Sequence, residues 1–184
     1  MKQIKILSII LLILGSLNVS NGQDSTDTNA PVQVISSEPF YYCTLEMTGS
    51  YEQHPEAFMR LMNFCSNNNI EFEPAGIYWN SPDNTKTEDL KWELGVMIPS
   101  EMKVEEPFKV KKWEYTLNAS AEYDGVYNSE GEGRTVLQIF KWINDNGYTT
   151  SGPLVIRYLN QPIQTSEGQW AGKLQIMVPI QKKM

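Results

Sequence analysis

The chain has 184 residues, of which 41% are hydrophobic, 20% charged and 11% aromatic, a composition typical of a globular domain. Its formal net charge of -7 argues against nucleic acid as a partner, because a phosphate backbone attracts clustered Lys and Arg. One histidine and two cysteines exclude a histidine-rich metal site, a four-cysteine zinc site and a disulfide-dense scaffold, so we expect neither a metal nor another cofactor.

The first residues have the pattern of a secretory signal peptide. Lys2 and Lys5 precede an apolar run of 12 residues, Ile6 to Leu17, which small and polar residues follow. A helix that spans a bilayer needs about 20 apolar residues, so a permanent membrane anchor is the less favoured alternative. We expect a signal peptide at 1–22, a mature chain from about Gln23, and a secreted or periplasmic location.

Residues 23–39 are polar and predict a flexible linker, which leaves one folded domain at 40–184. That domain contains two similar halves, about 40–99 and 112–180. The pattern Tyr-x-Asn-x-Pro and a Leu-x-x-Met-x-Pro pattern both recur at an offset of 80, in the pairs Tyr78–Pro82 and Tyr158–Pro162, and Leu94–Pro99 and Leu174–Pro179. Two matches in register predict an internal duplication.

Each half also predicts one amphipathic helix after a first strand. Apolar residues recur at i, i+3, i+4 and i+7, first as Phe58, Leu61, Met62 and Cys65, and then at an offset of 78 as Val136, Ile139, Phe140 and Ile143. The strand segments that precede the helices, Tyr41 to Tyr51 and Asn118 to Tyr127, match at an offset of 76. Strand, helix, strand, strand, repeated twice, predicts an α+β fold: an antiparallel sheet with two helices on one face and a cleft between pseudo-twofold halves.

Alternation along the strands assigns side chains to the two faces of this sheet. The helix side receives the apolar residues of the last strand in each half: Trp92, Leu94, Val96, Ile98, Leu174, Ile176, Val178 and Ile180. The opposite face receives Glu46, Glu93, Glu122, Met97 and Met177. If Gly76 and Ile156 lie on the opposite face, then Tyr78 and Tyr158 lie on it too. The same alternation directs the charged Arg157 toward the helices.

These assignments define candidate ligand-binding residues on the presumed cleft face. The tyrosines Tyr78 and Tyr158 offer rings for stacking and hydroxyls for orientation, or they are structural aromatics of the cleft floor. Glu46, Glu122 and Glu93 could supply charge, or they are solvated. The thioethers of Met97 and Met177 suit varied apolar shapes, or they belong to a second core.

The order Gly49-Ser50-Tyr51, amphipathic helix, P-A-G-I-Y-W-N-S-P, L-G-V-M-I-P, G-P-L-V-I-R-Y-L-N-Q-P and I-M-V-P-I resembles the GyrI-like family, also called AraC-type or bacterial transcription activator effector-binding domains. The resemblance covers residues 40–181. It implies a duplicated fold whose cleft binds small molecules, often lipophilic cations. Members are sensor modules fused to DNA-binding domains, stand-alone binders, or hydrolases of reactive small molecules.

The resemblance also implies a ligand-contacting glutamate two residues before Tyr158, and this chain has Ile156 there. Ile156 therefore belongs to the predicted ligand site without supplying the family's carboxylate. Haem, which related proteins of this fold type bind, is disfavoured because His54 is the sole histidine and is expected to be a solvated loop residue.

Cys43 and Cys65 are assigned to surfaces that meet, the first strand and the first helix. In an oxidising compartment they form a disulfide; otherwise they are two small buried apolar residues. A catalytic thiol is not expected, since neither cysteine lies at a helix start or beside a cation.

Three functions follow as hypotheses. The first is an exported monomer or weak dimer that binds an apolar ligand, cationic or neutral, between its halves, with no nucleic acid partner. The second is a hydrolase that pairs Tyr158 with a carboxylate, for which Glu46, Glu93 or Glu122 would have to replace the residue missing at Ile156. The third is a protein-interaction module whose cleft is filled by its own side chains. No catalytic residue is assigned, and an enzyme is the less favoured hypothesis.

Overall fold

The computed structural model describes residues 30–183, so the predicted signal peptide at 1–22 lies outside the described residues. Two helices, α1 (His54–Asn68) and α2 (Glu130–Asp145), accompany short 3-10 turns at Tyr51–Gln53 and Thr87–Asp89. The strands are β1 (Gln33–Ser36), β2 (Phe40–Thr48), β3 (Pro74–Tyr78), β4 (Lys91–Ile98), β5 (Phe108–Trp113), β6 (Leu117–Val126), β7 (Tyr148–Thr150), β8 (Leu154–Tyr158), β9 (Ile163–Gln164) and β10 (Trp170–Lys182).

The strands form one antiparallel sheet whose order is symmetric about its centre. The order is β1-β6-β10-β8-β3-β4-β2-β5, with the short strands β7 and β9 paired to β10. From the central β3–β8 pair outward, each side meets the last strand of its half, then the first strand, then one added edge strand. The predicted α+β fold with a two-helix antiparallel sheet is confirmed, and the symmetric order supports the predicted duplication.

The two helices cover one face of the sheet, with a hydrophobic cluster under each. Under α1, the side chains of Leu61 and Cys65 pack on Leu45, Trp92 and Leu94. Under α2, the cluster comprises Ile139 and Ile143 of the helix with Ala119, Ala121, Tyr123, Ile156, Leu174, Ile176, Val178 and Ile180. The predicted helix-side residues of β4 and β10 are therefore placed correctly. Burial of this apolar area, at about 25 cal/mol per Å², is the main stabilising contribution.

The opposite face, which we call the open face, carries a smaller apolar cluster. Tyr42, Ile77, Trp113 and Val155 are its buried members, and Met177 packs against them. No helix covers this face within residues 30–183. The strands at the centre of the sheet are thus apolar on both sides.

Two sequence-based expectations about the elements are wrong, and one strand was not predicted. Residues 33–36 of the predicted flexible linker form β1, which pairs with β6. Strand β5, most of which lies between the two predicted halves, was assigned no element from the sequence; it pairs with β2 and completes the other edge. Phe140 of the predicted apolar stripe is 41% exposed, because Thr135, rather than an apolar residue, shares the inner face of α2 with Ile139.

Within residues 30–183, neither helix is long and apolar enough to cross a membrane.

Candidate functional site

The two central strands direct a tyrosine each to the helix side of the sheet. Tyr158 is the cross-strand partner of Leu174, and Tyr78 is the partner of Trp92. Cross-strand partners lie on the same face, and both Leu174 and Trp92 belong to the helix-side cores. The predicted position of the tyrosines on the face opposite the helices is therefore wrong. They lie beside both helix-side clusters, where the two halves meet.

The same correction explains Arg157, whose predicted position toward the helices conflicted with its charge. Its guanidinium lies on the open face, where Nη1 donates a 3.0 Å hydrogen bond to Oε1 of Gln175. Ile156, one residue earlier, is 8% exposed and packs in the helix-side core. The position at which the resemblance implies a ligand-contacting glutamate is thus apolar and buried in this chain.

Tyr51, His54 and Tyr78 converge in the first half. The rings of Tyr51 and Tyr78 meet edge to face with centroids 5.4 Å apart and an interplanar angle of 77°. His54 opens α1 and stacks on Trp92 at 4.1 Å. Its Nδ1 lies 2.5 Å from the carbonyl oxygen of Tyr51, so Nδ1 must carry the proton. Neutral Nε2 then accepts the proton of the Tyr78 hydroxyl, 3.1 Å away.

This contact corrects the expectation that His54 is a solvated loop residue. Burial lowers the pKa of His54, and the backbone carbonyl of Tyr51 opposes that shift. The neutral imidazole is therefore the favoured form at neutral pH. His54 acts here as an acceptor that orients the Tyr78 phenol.

Tyr127, Glu132 and Tyr158 form the matching arrangement in the second half. The rings of Tyr127 and Tyr158 meet at 5.6 Å and 77°, nearly the geometry of Tyr51 and Tyr78. Glu132 stands 78 residues after His54, the offset that relates the two helices. We call the six residues Tyr51, His54, Tyr78, Tyr127, Glu132 and Tyr158 the central cluster.

Glu132 is the carboxylate of the central cluster. Its Oε2 accepts a 2.7 Å hydrogen bond from the backbone N–H of Asn128, and Ser129 caps the helix by accepting from the Glu132 N–H. These bonds resemble a capping box and hold the side chain at the start of α2. Burial raises the pKa of Glu132, and the hydrogen bond from Asn128 partly offsets that increase.

The negative charge of Glu132 acts on three phenols. Burial, followed by the Glu132 charge, raises the pKa of Tyr127 to about 12 and raises the pKa of Tyr158 further. For Tyr78 the causes are burial, then the neighbouring Tyr158 phenol, then Glu132. All three phenols therefore stay protonated and can donate hydrogen bonds at neutral pH.

One hydroxyl of the central cluster has no hydrogen-bond partner among the described residues. The Tyr127 oxygen is buried and unpaired, whereas the equivalent Tyr51 hydroxyl donates to the carbonyl of Asn80 at 3.2 Å. Gly172 lies against the Tyr127 hydroxyl, and a side chain at that position would clash with it. A buried unpaired phenol costs free energy, which a ligand acceptor could recover.

The remaining predicted ligand residues lie on the open face, so the predicted set does not line one site. Glu46 is exposed, with Lys109 and Lys111 each 2.6 Å away. Glu122 is exposed and opposite Gln175, Met97 is 52% exposed, and Met177 packs against the open-face cluster. The sheet separates all of them from Tyr78, Tyr158 and Ile156.

Glu93 differs from these exposed residues because its side chain is only 4% exposed. Its Oε1 accepts hydrogen bonds from the Trp79 indole at 2.7 Å and from Lys111 at 2.8 Å. Its Oε2 has no partner among the described residues. Burial and then the Glu93 charge raise the pKa of the adjacent Tyr42.

Sequence reasoning missed Glu132 and misjudged His54. The signal that could have found them is the helix offset of 78, which aligns one with the other. None of the three carboxylates proposed for a hydrolase, Glu46, Glu93 and Glu122, reaches Tyr158, because all three lie on the other face of the sheet. Glu132 influences Tyr158 by its charge, and the hydrogen bonds of the described residues include none between them.

Cys43 and Cys65 are both buried and both free in this structure, which fits the second alternative, two small buried apolar residues. Burial raises the pKa of each thiol to about 11, which leaves both protonated and unreactive. Within residues 30–183, no group of three or more His, Cys, Asp or Glu side chains could hold a metal ion.

A comparison with protein families matches residues 30–180 to the GyrI-like small molecule binding domain. A protein from Erwinia billingiae (strain Eb661) named DNA gyrase inhibitor is 23% identical over 155 residues, which cover 82% of this chain and 97% of that protein.

Solved structures share the fold at low sequence identity. In the cryo-EM structure of the EcmrR–DNA complex, EcmrR is 13% identical with a TM-score of 0.64, and the match covers 83% of this chain but only 57% of EcmrR. SAV2435, solved bound to tetraphenylphosphonium, is 12% identical with a TM-score of 0.57, over 82% of this chain and 93% of SAV2435. At these identities the likeness is one of fold.

Proposed function

The chain belongs to the family of GyrI-like small molecule binding domains, and from that premise we propose that it is an exported protein that binds an apolar cation at the central cluster. The observation that carries the proposal is a carboxylate, Glu132, whose charge acts on three surrounding phenol rings. Aromatic faces attract cations, and a partly desolvated carboxylate supplies the opposite charge.

The position of Glu132 compensates for the substitution at Ile156. The family's carboxylate would project from β8 beside Tyr158, and here the charge comes from the first turn of α2 instead. A bound cation would stabilise ionised Glu132 and lower its pKa, which burial raises in the free protein. SAV2435, which has the same fold, was solved with the lipophilic cation tetraphenylphosphonium, and this supports a ligand of that class.

Export is proposed from the signal-peptide pattern of residues 1–22. Amino-terminal sequencing of the protein recovered from its host should find a chain that starts near Gln23. Recovery of a chain that still starts at Met1 would contradict this part of the proposal and leave the binding proposal intact.

Binding can be tested with a cation and a neutral molecule of similar shape. We expect tetraphenylphosphonium to quench tryptophan fluorescence, because Trp92 stacks on His54 of the cluster, and to bind at least about tenfold more tightly than neutral triphenylphosphine oxide. Equal affinity for both compounds would contradict a cation site.

Two matched variants locate the charge. Glu132→Gln should weaken tetraphenylphosphonium binding by about tenfold or more, because it removes a partly buried opposite charge. Glu122→Gln makes the same chemical change at an exposed position on the open face and should leave the affinity unchanged. A similar loss in both variants would indicate a nonspecific effect of net charge.

The edge-to-face contacts within the central cluster favour one further candidate. The rings of Tyr51, Tyr78, Tyr127, Tyr158 and Phe58 lie 5.4 to 5.6 Å from their neighbours, the spacing of packed aromatic pairs. Such packing is what a protein-interaction module with a filled cleft would have. No quenching by either compound would support that function over small-molecule binding.

A further inference from the structure

A separate pocket lies on the open face, away from the central cluster. It has a volume of about 400 Å³ and is lined by Tyr42, Trp79, Lys111, Lys112, Trp113, Glu114 and Tyr115. That volume lies within the range of roughly 300–1,000 Å³ typical of small-molecule sites. The sheet stands between this pocket and the phenols of Tyr78 and Tyr158.

Aromatic rings form much of the pocket wall. Trp113 is 6% exposed and meets Tyr115 at a centroid distance of 4.9 Å and Tyr42 edge to face at 6.0 Å. These contacts fix the rings of the buried wall. Trp79, in contrast, is 46% exposed and is the most exposed ring of the wall. A flat ring compound can stack on such a wall.

The charged side chains around the pocket are paired with one another. Lys111 lies 2.6 Å from Glu46 and 2.8 Å from Glu93, and Lys112 lies 3.3 Å from Glu114. A cationic ligand would therefore meet lysine ammonium groups, and an anionic ligand would meet carboxylates. A neutral ligand avoids both penalties.

Glu93 lies directly behind the pocket wall, since three lining residues surround its carboxylate. Trp79 and Lys111 donate to Oε1, and the charge of Glu93 acts on Tyr42. Oε2 is buried without a hydrogen-bond partner among residues 30–183. A carboxylate oxygen in this state lacks a donor, which a ligand in the pocket can supply.

We propose that the open-face pocket is a second small-molecule site, which takes a neutral ring compound carrying an N–H or O–H donor. The ring stacks on Trp113 and Tyr115, and its donor bonds Oε2 of Glu93 once the pocket wall adjusts. The site differs from the central cluster in face, in lining residues and in the charge of its ligand.

Indole and 1-methylindole test this site, because they have nearly the same shape and differ in the N–H donor. In titrations of ¹⁵N-labelled protein, we expect indole to shift the side-chain N–H signals of Trp79 and Trp113. The affinity for indole should exceed that for 1-methylindole by about tenfold, since hydrogen bonds to charged groups are stronger than neutral ones. Equal affinities, or no shift of these two signals, would overturn the proposal.

Variants assign the donor preference to Glu93. Glu93→Gln should reduce the preference for indole to about threefold or less, because a hydrogen bond to a neutral acceptor is weaker. Should that variant fail to fold, Tyr115→Ala at the partly exposed rim should weaken both indoles about equally, and unchanged affinities would refute the stacking role.

Glu132→Gln separates the two sites. It should leave indole binding unchanged while it weakens tetraphenylphosphonium binding, so failure of one proposal is distinguishable from failure of the other. Indole signals that respond to Glu132→Gln would place the compound at the central cluster and contradict a second site.

Discussion

The two halves of the sheet place the same phenol pairs on the same framework and then differ at one helix position. Tyr51 and Tyr78 in the first half match Tyr127 and Tyr158 in the second, with ring distances of 5.4 and 5.6 Å. At the helix start, the first half has a neutral imidazole and the second half a carboxylate. A repeated fold can thus keep its geometry while a single position determines which half supplies charge to a ligand.

A second difference lies in the last strand of each half. The offset of 80 aligns Trp92, which is 1% exposed, with Gly172. Trp92 fills the space beneath His54, whereas Gly172 leaves room for the Tyr127 hydroxyl that has no partner among the described residues. On the helix side, the first half is therefore filled at this position, and the second half keeps an unsatisfied hydroxyl that a ligand can use.

The largest expected effect on stability comes from removing the Trp92 side chain of the first half. Trp92→Ala should lower the free energy of unfolding by about 3–5 kcal/mol, because it leaves a cavity under His54 and removes the bond from Trp92 Nε1 to the Gly49 carbonyl. Urea unfolding measures the loss. A loss below about 1 kcal/mol would mean that the first half does not owe its stability to this residue.

A smaller effect on stability is expected from adding a side chain at Gly172 in the second half. Gly172→Ala should lower the free energy of unfolding by about 1–3 kcal/mol, because the added methyl group displaces the Tyr127 hydroxyl and Asn160. Gly133→Ala is the matched control: its new methyl group meets no atom within 4 Å, and alanine favours the helix by up to about 1 kcal/mol. Equal losses in both variants would contradict the proposed crowding at Gly172.

The smallest expected effect is on the pH dependence of stability, to which His54 at the start of α1 and Glu132 at the start of α2 contribute in opposite directions. Burial lowers the pKa of His54 in the folded state. Its contribution to the free energy of unfolding is therefore complete above the unfolded-state pKa of about 6.5 and is lost as pH falls toward the folded-state pKa. Burial raises the pKa of Glu132 in the folded state. Its contribution to the free energy of unfolding is therefore complete below the unfolded-state pKa of about 4.3 and is lost as pH rises through the folded-state pKa.

Thermal unfolding between about pH 4 and pH 8 measures both contributions. His54→Gln should reduce the loss of stability on acidification, because glutamine does not titrate. Glu132→Gln should instead raise stability at neutral pH, because it removes the cost of an ionised, partly buried carboxylate. Variants that change the pH profile in the same direction would contradict the assigned difference between the halves.

The sequence predicted much of the fold because two of its periodicities are unambiguous. Strands β4 and β10 alternate apolar and polar residues, so the faces of Leu94 and Leu174 follow from the pattern. Strands β3 and β8 are short and lie at the centre of the sheet, where Ile77 on one face and Ile156 on the other are both buried. Alternation carries no signal where both faces are apolar, and this is why Tyr78 and Tyr158 were assigned to the wrong face.

By itself the sequence determined the fold class and the family, because both rest on the spacing of residues along the chain, and the same spacing predicted the two similar halves. Tertiary structure alone decided that Glu132 of α2 acts on phenols from β3 and β8, and that Glu93 lies behind a pocket formed with β5. The charge and burial of each carboxylate depend on strands distant in sequence. The acidic composition therefore indicated no site, while the packing assigned Glu132 and Glu93 to opposite faces of one sheet.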